Sequence, residues 1–370
     1  MVWPFDPEER ATMIRIRSIT MSVVCATALT ACATVERPGA GARVTAVVET
    51  AAVGTRNADA ADDPAIWAGP ETTLAGRRVN AFIAGTDKKA GLYIYDTAGA
   101  VLQFLPQGLL NNVDVVALPR DEGGWVILGA SDRTPGREGI TLFRFDARTG
   151  GEVEYWGRIA TDIAEPYGFC MRQWRGAVHA VLIGKDGQVR QFIVDQGVDG
   201  APAAREVRRF AVGSISEGCT IHAAGDGLFV SEETVGLWRY SLDPTSGDAR
   251  TLVQAVDGVR LTADVEGAAI LDDPTGTYLI VSSQGDSAFA VWRVHGRETE
   301  WIGRFAVHAG PSVDAVTGTD GLDAYGSFGP FGEGLLVVQD DVNPGGAQNF
   351  KYLNWGDIRR ALGVADPAPR

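Results

Sequence analysis

The sequence predicts an all-β fold, a six-bladed β-propeller of four-stranded blades, and three observations lead to it. From Asp59 onward no long stretch has helical period; short β-branched and aromatic runs alternate with Gly, Asp and Pro. Asp62, Asp114, Tyr167, Glu217, Glu266 and Asp323 each stand at or beside the start of an apolar run, at spacings of 52, 53, 50, 49 and 57 residues. Each of these runs is followed by further strand-like runs, as a blade requires. A chain of 370 residues would ordinarily suggest two domains, but repeat folds exceed the usual domain size.

Taken in order, the chain begins with a segment that carries an address. From Met13, the expected true start, Arg15 and Arg17 precede a short apolar run, which reads as a secretory signal and is too short to span a bilayer. Leu29-Thr30-Ala31-Cys32 resembles the bacterial lipobox, in which the cysteine becomes the lipidated first residue; a plain signal peptide cut nearby is the alternative. The expected divisions are a signal segment over 1–32, a tether over 33–42, a propeller over 43–360 and a tail over 361–370. Export is expected, to the outer membrane as a lipoprotein or to the periplasm or medium, with membrane contact only through the lipid. Ala33, where an Asp is absent, resembles outer-membrane sorting.

In the repeat itself, Val79, Trp125, Val178, Gly227, Tyr278 and Gly334 open second strands, and third strands follow each. Fourth strands such as Glu154 to Ala160 complete the blades, except in the sixth unit, which ends after Trp355 in a short helical or irregular tail. The unassigned strand Arg43 to Thr50 is expected to pair into blade six and close the ring, removing exposed edges. Cys170 and Cys219, just inside consecutive blade starts, could bond in an oxidising compartment; two free buried thiols are the alternative.

A propeller of this kind gathers strand-one starts and strand-two ends on one rim. Here that rim offers Asp62, Asp63, Asn112, Asp114, Glu165, Tyr167, Glu217, Asp264, Glu266, Asp320 and Asp323, with Asp87, Lys88, Lys89, Arg133, Lys185, Glu232, Glu233, Gln284, Asp340 and Asp341. So many carboxylates cannot all ionise unpaired, and hard oxygen ligands favour calcium over zinc or copper. The four histidines, His179, His222, His295 and His308, show no metal-ligand spacing and read as structural. A formal charge of -14 argues against nucleic acid as a partner and would repel a polyanion unless metal ions intervened. Lys88, Lys89, Arg133 and Lys185 read as phosphate ligands, or singly as solvated surface charges. A nucleophilic serine elbow, a phosphate-binding glycine loop and a dinucleotide fingerprint are all missing from the sequence.

At this point the runs DAADDPAIW, GTDKKAGLYIYD, NNVDVV, EPYGF, DVEG, SSQGDS, TDGLD and QNFKYLNW together resemble the β-propeller phytases, from about Val44 to Trp355. The resemblance implies a calcium-dependent phosphomonoesterase acting on myo-inositol hexakisphosphate, through water activated by several calcium ions. It implies calcium ligands at Asp63, Tyr167, Glu217, Glu233, Asp264, Glu266, Gln284 and an acid of the turn from Asp320 to Asp323; Asp62 joins that set from the rim. Lys88, Lys89, Arg133 and Lys185 would bind phosphate, with Asn349 and Asp340 as weaker matches. Asp63, Tyr167, Glu217 and Lys185 would carry the catalysis. The sequence departs from the family at Asp87 and around Asp186, where metal sites would differ. A monomer acting on a small molecule is expected. A calcium propeller of the sugar-lactonase type, or a non-catalytic binding propeller, is the competing reading; the first would have little use for the Lys-Lys pair and Arg133.

Overall fold

The computed structural model describes residues 39–119, 124–197 and 199–366. The signal segment, Cys32 and most of the expected tether lie outside the described residues. Six sheets form, five of four strands and one of five, and each is a blade. Their first strands are Ala61–Leu74, Leu110–Ala117, Pro166–Trp174, Ser216–His222, Val265–Asp273 and Leu322–Tyr325. Each first strand packs on that of the next blade, and blade six packs back on blade one. The repeat therefore closes into the expected six-bladed ring.

Apolar side chains alternate along these strands and meet between blades. Trp67 and Phe82 of blade one, for example, both pack edge-on against Phe145 of blade two, at 5.8 and 6.1 Å. Residues on both faces of the inner strands are buried, because each blade is covered by two neighbours.

Closure differs from the expected single strand. The stretch Arg43 to Thr50 is divided: Ala42–Val44 pairs in parallel with Glu298–Val307 as a fifth strand of blade five, whereas Val48–Glu49 pairs antiparallel with Asn349–Asn354 and supplies the missing strand of blade six. One short segment thus straps the last two blades together. The end of the chain adds a second fastening. Helix Trp355–Ala361 places buried Arg359 against Asp273, Glu333 and Asp366, while Leu362 and Val364 pack on the core between blades five and six. The expected tail is therefore joined to the propeller at least through Asp366.

Cys170 and Cys219 form a disulfide between the first strands of blades three and four.

Candidate metal and phosphate site

The site is built by a repeated irregularity at the mouth of each first strand. In blades one to five the antiparallel register slips between Ala61 and Pro64, Leu110 and Val113, Pro166 and Phe169, Ser216 and Cys219, and Val265 and Ala268. A bulge bends the strand and re-aims its side chains. The bulged pairs are Asp62-Asp63, Asn111-Asn112, Tyr167-Gly168, Glu217-Gly218 and Glu266-Gly267, and Asp320-Gly321 takes the same place ahead of blade six.

The glycines let the blades approach. A Cβ on Gly168 would lie 2.0 Å from the Glu217 carbonyl oxygen, one on Gly218 2.0 Å from that of Glu266, and one on Gly267 2.8 Å from that of Asp320. Gly267 N–H donates to the Asp320 carbonyl and Gly321 N–H to that of Asp62, which locks the succession. Functional side chains from different blades are thereby brought to one place.

That place is a cavity of about 590 Å³ whose wall includes Tyr167, Glu217, Glu233, Asp264, Glu266 and Asp320. Gln284 and Lys88 also line it. Glu217, Glu233 and Glu266 each offer a carboxylate oxygen within 4.8 Å of the others. Burial, and the neighbouring Asp62 carboxylate, push the Glu217 pKa well up; burial, then Glu217, does the same to Glu266. Burial, then Asp264, raises Glu233 to about 6. Burial raises Asp320 too, although Lys88 pulls it back. The Tyr167 hydroxyl stands beside Glu217 and Glu233, and burial with Glu217 drives its pKa up, so it stays protonated.

Lys88 is engaged inside this cluster. Its ammonium pairs with Asp59 at 2.6 Å, Asp62 at 2.8 Å and Asp320 at 3.3 Å. Burial alone would lower its pKa, but Asp62, Asp320 and Glu217 more than reverse that. Lys185 remains 43% exposed, 3.7 Å from Glu165, with its ammonium 5.1 Å from the Tyr167 ring centre. Lys89 is exposed and Arg133 half-buried, on the turns that end second strands.

Other expected residues are placed elsewhere. Asp63 and Asp323 line a separate small space deeper between the first strands, beside Asp114. Asp63 accepts from Val113 N–H, Asp114 from Met171 N–H and Asp323 from Ile66 N–H, so each fastens its blade to a neighbour. Asn349 is buried away from the cavity wall and donates its amide to Glu49 at 3.1 Å. Asp340 pairs with buried Lys351 at 2.7 Å and accepts from Thr317 N–H. Of the histidines, His179 is buried against the Gln191 amide at 3.1 Å.

Sequence reasoning passed over Asn111, whose amide donates to Glu217 at 2.5 Å, and Asp59 and Asp286, which line the cavity. Asp59 had a signal, being the first acid of the run that supplies Asp62.

The donor set fits a hard divalent cation. Glu233 Oε1, Glu266 Oε2 and Asp62 Oδ2 are buried and meet no hydrogen-bond donor among the described residues.

The family model described as Phytase matches residues 12–367. A 3-phytase of Bacillus subtilis (strain 168) is 33% identical over 334 residues, covering 87% of this chain and 86% of that protein. Among solved structures, the β-propeller domain of Cps50 (Swd1) from Myceliophteria thermophila is 9% identical with a TM-score of 0.44, over 79% of this chain and 82% of that one. BBS1N, solved in complex with ARL6DN, is 12% identical with a TM-score of 0.42, over 75% and 76%. The family match spans nearly the whole chain and the 3-phytase covers most of both chains, and on that ground the chain belongs to the phytase family.

Proposed function

We propose that the protein is a calcium-dependent 3-phytase that releases phosphate from myo-inositol hexakisphosphate. The observation that carries this reading is the convergence of Glu217, Glu233 and Glu266 on one point, with orphaned carboxylate oxygens, beside the exposed ammonium of Lys185. Family membership and the 3-phytase relative supply the substrate.

Glu217, Glu233, Glu266, Asp264, Gln284 and Asp320 would hold the calcium ions, with Asp62 and Tyr167 beside them. Calcium bound there supplies positive charge that draws in a polyanionic substrate, polarises the phosphoryl oxygens and lowers the pKa of water. The chain's own residues do the rest by position. Lys185 reaches over the Tyr167 ring as an exposed cation for a substrate phosphate, and Arg133 and Lys89 offer further charge on the rim. Tyr167, protonated, can donate a hydrogen bond from its hydroxyl. Lys88 is held by three carboxylates, so it serves as a fixed positive charge that offsets the acids at the cavity floor. Asn111 orients Glu217 through its amide.

Phosphate release from phytate, a simple phosphomonoester and a sugar lactone, each with and without calcium, tests this reading. Calcium-dependent release from phytate is expected. Lactone opening without phosphate release, or turnover of none of the three, contradicts it.

A further inference from the structure

One neutral side chain ties two acid-bearing turns together where blades six and one meet. Gln348, buried just ahead of the strand Asn349–Asn354, accepts at its Oε1 from Ala60 N–H at 2.6 Å and from Ala61 N–H at 2.8 Å. Its Nε2 donates to Asp341. Ala60 and Ala61 are fully buried, where a backbone donor left without a partner is costly. The peptide between them is held from the other side as well, since the Ala60 carbonyl accepts from Lys88 N–H at 2.7 Å.

The two held alanines lie between Asp59 and Asp62, and the Lys88 ammonium pairs with both of these acids. Asp59, Lys88 and Asp341 line the cavity. Asp341 is joined in turn to the run that carries Asp320, because its N–H donates to the Thr317 carbonyl at 3.0 Å. An amide is the side chain suited to this place. A carboxylate could accept from both N–H groups but would face Asp341 with no donor, and a cation could serve Asp341 but not the N–H groups. Both ends of Gln348 are engaged inside the protein, so it acts through these neighbours.

We propose that Gln348 is a positioning residue for the reaction: it sets Asp59, Asp62 and Lys88 against Asp341, so that the cavity wall at the seam of blades six and one has its shape before a cation arrives. The proposal rests on the reading of the cavity as a cation and phosphate site. Without the amide, the acid run must be ordered at the moment of binding, and affinity falls by the fraction of time the wall is seated. A wall seated for about a fifth of the time binds about fivefold more weakly.

Amide hydrogen exchange and calcium calorimetry test this. In exhaustively chelated wild-type protein the Ala60 and Ala61 amides should already be protected, because the seat forms without a cation. Gln348→Leu keeps the bulk and removes both polar ends; when chelated, its two amides should exchange about tenfold faster or more, and added calcium should slow them again. Calcium affinity by calorimetry should fall about fivefold or more in that variant, with phosphate release at saturating calcium within about twofold of wild type. Combining Gln348→Glu with Asp341→Asn exchanges acceptor and donor at unchanged net charge, and should return protection to both amides. Chelated wild-type protein whose two amides exchange freely, and gain protection only with calcium, overturns the proposal, and this result needs no variant to fold. So does a Gln348→Leu protein that melts lower yet binds calcium as tightly as wild type, since that assigns a purely structural role. Wild-type protein that binds no calcium overturns the cation reading and this proposal with it, and that failure is told apart by the absence of any calorimetric binding signal.

Discussion

Replacing both Cys170 and Cys219 with alanine tests how the ring of blades is held around the cavity. The cysteines are 49 residues apart and join the strands that begin with Tyr167 and Glu217. On the chain-entropy account, releasing a loop of that size restores about 14 cal/mol/K to the unfolded chain, or about 4 kcal/mol at 25 °C. A propeller of roughly 330 residues unfolds with an entropy of about 0.7 kcal/mol/K, so the melting temperature should fall by about 6 °C. Activity at 25 °C should change by less than about threefold, because Gly168 and Gly218 still seat their blades against the next strand's carbonyl. Calorimetry in saturating calcium reads the first effect and phosphate release the second. A melting temperature lowered by less than about 1 °C, or two alkylatable thiols in unreduced wild-type protein, would refute this reasoning.

The remaining predictions concern the cavity. Glu217→Gln keeps the shape and the acceptor for Asn111 but removes a charge; phytate turnover should fall about 100-fold or more while the calcium-free melting temperature stays level or rises. A comparable loss of stability and activity would assign Glu217 a structural role instead. Lys185→Ala should raise KM for phytate about tenfold and leave the calcium concentration for half-maximal activity within twofold, as measured by steady-state kinetics; a shift in calcium dependence alone would count against phosphate binding. In calcium-free protein, carboxylates with raised folded-state pKa values favour the protonated form, so their stabilisation is complete below the unfolded range and is lost as pH rises through the folded values. For Glu233 that means a loss that runs from its ordinary value of 4.5 up to about 6, worth about 1 to 2 kcal/mol. Chelated protein should therefore melt lower at pH 7.5 than at pH 5, and the stabilisation by added calcium should grow over that range; a flat or rising chelated profile would contradict it.

The ring was legible because each blade repeats one strand order, and the inner runs are apolar enough to be seen singly. What the repeat hides is local and non-local geometry. Asp62 and Asp63 look equivalent in sequence, yet the bulge sends Asp62 to Lys88 while Asp63 reaches the Val113 N–H. Asp320 and Asp323 divide in the same way, three positions apart on opposite sides of the strand mouth. Lys88 reads as a free phosphate ligand until folding brings Asp320, 232 residues away, to its ammonium. The glycines after Tyr167, Glu217, Glu266 and Asp320 carry a signal, since each must admit a neighbouring blade, but only the blade contacts give it meaning. Arg43 to Thr50 shows one strand's composition and nothing that says two different blades will share it.

The account's central claim is that cations held by Glu217, Glu233 and Glu266 make phytate hydrolysis possible. Its most direct test is a calcium titration of exhaustively chelated wild-type protein, with phosphate release from phytate as the readout and circular dichroism as a control for folding. The account predicts a folded protein with no measurable release at the start and saturable recovery as calcium is added. Full release from the chelated, folded protein would contradict it.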